Sequence, residues 1–138
     1  SGRTKLYLNK EIDEVIHTLR NTNELKEISF LKAFPYVTKP TRLSKRCAVL
    51  SPNLLELESV SVDNTDFYGT GEIRIDLFCP YHLGSPVIFD DMQKIVKASL
   101  NDEISKISIS AISVDSSCEC YVLTAVLGFG YYEKTEEL

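Results

Sequence analysis

Six side chains in this sequence have the types that nucleophilic or metal chemistry requires: Cys47, Cys79, Cys118 and Cys120, with His17 and His82. A nucleophilic site needs a cysteine, serine or lysine beside a base that a third group orients. Cys79 and His82 are the nearest such couple in sequence. They straddle Pro80 at the end of a strand, where adjacent residues point apart, so their spacing supplies no geometry. "CEC" (118–120) puts two thiols on one side of an extended chain, whereas zinc ligand pairs are separated by roughly two to four residues. No metal is predicted. Four cysteines do not make a disulfide framework here, because a chain of 138 residues is not a short Cys-dense secreted domain. They read as reduced and structural.

The carboxylates fare no better. Asp90 and Asp91 are adjacent on a predicted helix and diverge. Glu72 and Asp76 share a strand face but stand roughly 13 Å apart by strand rise, too far for a retaining glycosidase pair. "GTG" (69–71) reads as a turn before a strand, its glycines permitting positive φ. "GFG" (128–130) lies inside a strand, where small residues let another chain approach. Neither glycine pair opens a helix as a phosphate loop would. The expectation is a protein without a cofactor that is not an enzyme.

The elements that hold these residues are legible from periodicity. "YLNKEIDEVIHTLR" (7–20) reads as a helix with Asn9 as N-cap and Ile12, Val15, Ile16 and Leu19 on one face. His17 falls beside that stripe, at the surface. "ISFLKAFP" (28–35) reads as a short strand, and 36–45 as an exposed loop between prolines. "RCAVLSPNLLELESVSVDN" (46–64) is strand-like, bent at Pro52, with a phase shift across Glu58-Ser59 that suggests a bulge. "YGTGEIRIDLFCP" (68–80) returns as the other arm of a hairpin, with Ile73, Ile75 and Leu77 on one face and Glu72, Arg74 and Asp76 on the other.

"SPVIFDDMQKIVKASLNDE" (85–103) carries the clearest helix signals: Ser85 as N-cap, Pro86 in the first turn, and an apolar face of Ile88, Phe89, Met92, Ile95, Val96 and Leu100. "ISKISISAISV" (104–114) alternates as a strand, and "DSSC" makes a turn. "CECYVLTAVLGFGYY" (118–132) is apolar or small on both faces, which predicts a central strand. Together these give one α+β domain over 1–138: a mainly antiparallel sheet of about four strands plus a short strand, with two helices packed on one face. The opening Ser1-Gly2 looks like a tag-removal scar, and 1–4 is set aside as a loose start.

Charge is uneven. The formal balance of −5 argues against general nucleic-acid binding. Yet "KPTRLSKR" (39–46) carries Lys39, Arg42, Lys45 and Arg46 without an acid, while the tail at 133–138 carries Glu133, Glu136 and Glu137 against Lys134. A basic segment and an acidic tail can pair with each other or with further copies of the chain. No apolar run approaches the roughly 18 residues of a membrane span, and the simplest reading is a protein made and kept in the cytoplasm.

The order of these elements, with "GEIRIDLFCP" running into a short loop, then "FDDMQKIVKASL", then a closing β-hairpin, resembles the tail-terminator and minor-tail-protein group of tailed bacteriophages. "KPTRLSKRCAVLSP" is similar to segments of prophage tail proteins of that sort. The resemblance spans roughly 5 to 132, with two departures: 36–54 is longer and more proline-interrupted, and the acidic tail runs past the last strand.

The resemblance implies a structural virion protein of a tail or head–tail neck. Such a protein forms a ring, hexameric in that group, that caps the tail tube and meets the head-side connector. It would reside in the virion, and in the host cytoplasm during assembly. Glu72, Arg74 and Asp76 are then candidates for contacts between subunits or with the tube. Lys39, Arg42, Lys45 and Arg46 would face an acidic neighbour or the DNA passing through the lumen. A small α+β ligand-binding or regulatory module is the competing reading, and it would show a deep apolar pocket.

Overall fold

Alternating strands that bury one side each need a layer to bury it against, and two amphipathic helices supply one. The computed structural model describes residues 8–33, 43–60, 62–63 and 66–134, with backbone alone at 8–9 and 131–134. The start at 1–4 and Glu136 and Glu137 of the acidic tail lie outside these residues. In chain order the elements are α1 (Leu8–Arg20), β1 (Ser29–Lys32), β2 (Cys47–Ser59), β3 (Asp66–Pro80), α2 (Pro86–Ser99), β4 (Ile104–Ile109), β5 (Ser113–Asp115) and β6 (Cys120–Lys134). Single 3-10 turns lie at Asn23–Leu25 and Tyr81–Leu83.

The fold is α+β, and its sheet is mixed and six-stranded, running β1-β2-β3-β6-β4 with β5 also on β6. Three details differ from the sequence expectation. β1 lies parallel to β2, with Ser29 opposite Cys47 and Lys32 opposite Leu50. A parallel neighbour needs a long connection, and the residues between β1 and β2 provide it. The stretch 104–114 makes two short strands instead of one, both antiparallel to β6. The irregularity in β2 falls between Pro52 and Leu54, not at Glu58-Ser59. Proline's missing N–H makes Pro52 the natural place for the ladder to break step.

The core lies between one sheet face and both helices. Ile12, Val15, Ile16 and Leu19 of α1 pack with Ile88, Met92 and Ile95 of α2 onto Ile73, Ile75 and Leu77 of β3 and Leu123, Ala125, Leu127 and Phe129 of β6. Each fully buried aliphatic side chain contributes about 1.5–3 kcal/mol. β6 is central, between β3 and β4, as its two apolar faces predicted.

Two helix expectations need correction. Phe89, assigned to the core, is 48% exposed, and Leu100 at the end of α2 is exposed too. They lie at the margins of the apolar stripe, outside the sheet's cover. Ser85 precedes α2 but makes no side-chain cap bond, its own backbone already being helical. α1 starts at Leu8, so Asn9 stands within its first turn and not at the cap.

Candidate functional site

The long strands outrun the helix layer. The buried run of β2 ends at Leu50, and the strand continues to Ser59 at least partly exposed throughout. After the shift at Pro52, Leu55 and Leu57 point to the core side, opposite Gly71 and Gly69. Leu54, Glu56 and Glu58 point outward, opposite Glu72, Thr70 and Tyr68. Leu54, Leu55 and Leu57 are 37%, 40% and 36% exposed. The result is a three-stranded arm with leucines on both faces. A concavity of about 720 Å³ runs along it, lined by Glu56, Leu57, Glu58, Tyr68, Gly69 and Thr70.

Gly69 shows why "GTG" is not a turn. It lies within β3, and a Cβ there would collide with the backbone carbonyl oxygen of Glu56. The glycine permits close approach of two strands, and positive φ plays no part, since Gly84 is the glycine that adopts it. Gly128 does lie within a strand, but a Cβ there would make ordinary contacts, 3.5 Å from Lys106 and 4.0 Å from Glu72, so close approach does not require the glycine.

Glu72, Arg74 and Asp76 do share the outward face of β3, as alternation predicted. They are tied to neighbours on that face. Arg74 Nε donates to both Asp76 oxygens at 3.1 and 3.0 Å. Thr124 Oγ1 donates to Asp76 at 2.6 Å, and Asn53 Nδ2 to Glu72 at 2.7 Å. Such an exposed pair contributes at most about 1 kcal/mol, but it holds a charged lattice in fixed positions on the sheet.

The basic cluster divides. Lys39 and Arg42 lie outside the described residues. Lys45 is exposed. Arg46 turns inward: its Nη1 donates to both oxygens of Asp91 at 2.9 and 2.8 Å, and its Nη2 donates to Glu27 at 3.0 Å. The side chains of Arg46 and Asp91 are 18% and 6% exposed. A charge-assisted contact of this burial is strong, and it ties the start of β2 to α2. Sequence reasoning placed Asp91 next to Asp90 on a predicted helix, the two diverging, and gave it no partner. Helical spacing from Ile88 and Ile95 was the one signal that it faces inward.

The thiols are all free and buried. Burial raises the pKa of Cys47 and of Cys79, for which the Asp91 charge adds to the rise and Arg46 opposes it. Cys120 is pushed up to about 12, first by burial and then by the neighbouring Cys118. Cys79 Sγ is directed at the carbonyl oxygens of Pro80 and Gly84, each at 3.8 Å, and His82 is exposed. Among the described residues no group of three or more His, Cys, Asp and Glu side chains could hold a metal ion.

A thiolate is the reactive form, so Cys47, Cys79 and Cys120 should resist alkylation in the folded protein at pH 8 and react on unfolding. The same shift carries a pH dependence. The unfolded chain releases the Cys120 proton near 9.0 while the folded chain keeps it to about 12, so stability falls as pH rises above 9. Denaturant melts between pH 8 and 11 should show a shallower fall in Cys120→Ala than in the parent. Parallel curves would refute the assignment.

No protein-family model matches the chain, and no curated protein sequence is significantly similar to it. Among the described residues no helix is long and apolar enough to cross a membrane.

Proposed function

We propose that the chain is a structural subunit of a phage tail or head–tail neck: a ring-forming tail terminator that caps the tail tube and joins it to the head connector. The observation that carries this reading is the β2–β3–β6 arm. It holds Leu54, Leu55 and Leu57 beyond the helix layer, each more than a third exposed, with Glu72, Arg74 and Asp76 tied by hydrogen bonds on its outward face. Apolar side chains held in water on a rigid support gain about 25 cal/mol per Å² when a partner covers them, and fixed charges around them set register and partner choice.

The element order supports the same reading, with β3 closing at Pro80, α2 following, and antiparallel strands against β6 after it. In this role the partners are further copies of the chain, six in the ring, with the tube protein below and the connector above. DNA passes through the lumen, and no cofactor is required. The protein belongs to the virion, and to the host cytoplasm during assembly. Lys39, Arg42, Lys45, Glu72, Arg74 and Asp76 face neighbouring subunits or the tube, while Arg46 serves that surface through the position it gives β2.

Sedimentation velocity and negative-stain imaging of the purified protein test this directly. A discrete ring of six subunits is expected, and its addition to polymerising tube subunits should arrest tube growth. A protein that stays monomeric at every concentration, with no effect on tube length, would end the proposal.

A further inference from the structure

We infer that copies of this chain join side by side through two open sheet edges, residues 51–58 of β2 in one copy pairing antiparallel with β4 of the next. The inference rests on the ring reading above and supplies its joint. β2 is covered by β1 only over 47–50, so from Ser51 onward its outer edge has no strand beside it among the described residues. β4 lies at the other end of the strand order and pairs on one side only, with β6. An edge of this length is a template for another chain.

Direction, face and charge all favour joining unlike edges. The pairings β2–β3, β3–β6 and β6–β4 are each antiparallel, so β4 runs opposite to β2. A second copy placed alongside in the same orientation therefore sets its β2 antiparallel to β4 of the first. On the core side the two edges present Leu55 and Leu57 on β2, and Ile107 and Ile109, 39% and 43% exposed, on β4. On the outward side they present Glu56 and Glu58 against Lys106. All three charged residues are exposed, and among the described residues none has an ion-pair partner.

The register that sets Lys106 opposite Glu56 also sets Ile107 opposite Leu55, keeping both faces in phase. It offsets neighbouring copies along the strands, as closure of a sheet into a ring requires. Like edges fit worse. Two β2 edges would bring Glu56 and Glu58 against their own copies, and two β4 edges would oppose Lys106 to itself, a destabilising arrangement across strands. Unlike edges meeting head to tail generate a ring or filament, where like edges would generate a two-fold dimer.

Charge reversal tests the joint, read by sedimentation velocity at low salt. Glu56→Lys/Glu58→Lys and Lys106→Glu should each lose the assembled species while melting like the parent. Mixing the two in equal amounts should restore it, because each then offers the edge that the other needs, and all three changes in one chain should restore it too. If the parent forms rings and both variants form them equally well, the edge joint is wrong and the ring reading stands. A parent that forms only two-fold dimers would overturn head-to-tail pairing. A parent that stays monomeric at all concentrations would overturn both.

Discussion

The Asp91→Ala variant is expected to lose about 3–5 kcal/mol of stability, seen as a fall of roughly 10–20 °C in melting temperature. The reason is what the change leaves behind. Arg46 would keep its partly buried position at the start of β2 with the Asp91 acceptor gone, and only Glu27, exposed to water, still within 3.0 Å. An exposed partner of that kind holds at most about 1 kcal/mol. A buried charge without its counter-charge carries a desolvation cost that the folded state otherwise offsets with the pair.

Removing both charges should behave differently. In Arg46→Met/Asp91→Leu no ion is stranded, and much of the lost stability should return, since apolar residues of similar size often replace a buried pair without loss. Denaturant melts of the single and double variants decide the matter. A near-neutral Asp91→Ala would show that the pair is not what ties β2 to α2. This test reads the fold of the subunit, because Arg46 and Asp91 join the start of β2 to α2.

Leu127→Ala should cost about 2–5 kcal/mol. Leu127 is fully buried on β6, opposite Ile73 of β3 on one side and Ile107 of β4 on the other. A strand in the middle of a sheet cannot move to close the gap without dragging its neighbours, so the cavity persists and the transfer and cavity costs add. Against a total stability of about 5–15 kcal/mol for a domain, the variant would be marginal at 37 °C. Ile107→Ala, one strand away, should cost distinctly less, because Ile107 is already 39% exposed. Equal losses at the two positions would mean that Ile107 is covered in solution, as it would be where a second copy pairs with β4.

The contrast between Leu127 and Ile107 also shows where reading along the chain stops. Both alternate identically in sequence, and period-two alternation gave the inward face of each correctly. It could not give their depth. Depth depends on whether a strand has neighbours on both sides, and that is settled by pairing between residues far apart in the chain. Glu72, Arg74 and Asp76 were likewise legible as one outward face. Their hydrogen bonds to Asn53 and Thr124, on two other strands, were not.

Local patterns determined a good deal here: both helices with most of their buried stripes, the β2–β3 hairpin and the central β6. These are written in neighbouring residues, since backbone periodicity and turn chemistry act over a few positions. Tertiary structure alone decided that β1 runs parallel to β2, that Arg46 turns inward to Asp91, that Gly69 lets Glu56 come close, and that, among the described residues, β1 borders β2 only over 47–50 and β4 pairs only with β6. Each of these is a relation between segments 13 or more residues apart, beyond the few positions over which periodicity and turn chemistry act. Short windows along the chain hold only one partner of each relation, so these contacts emerge only when the sheet is assembled.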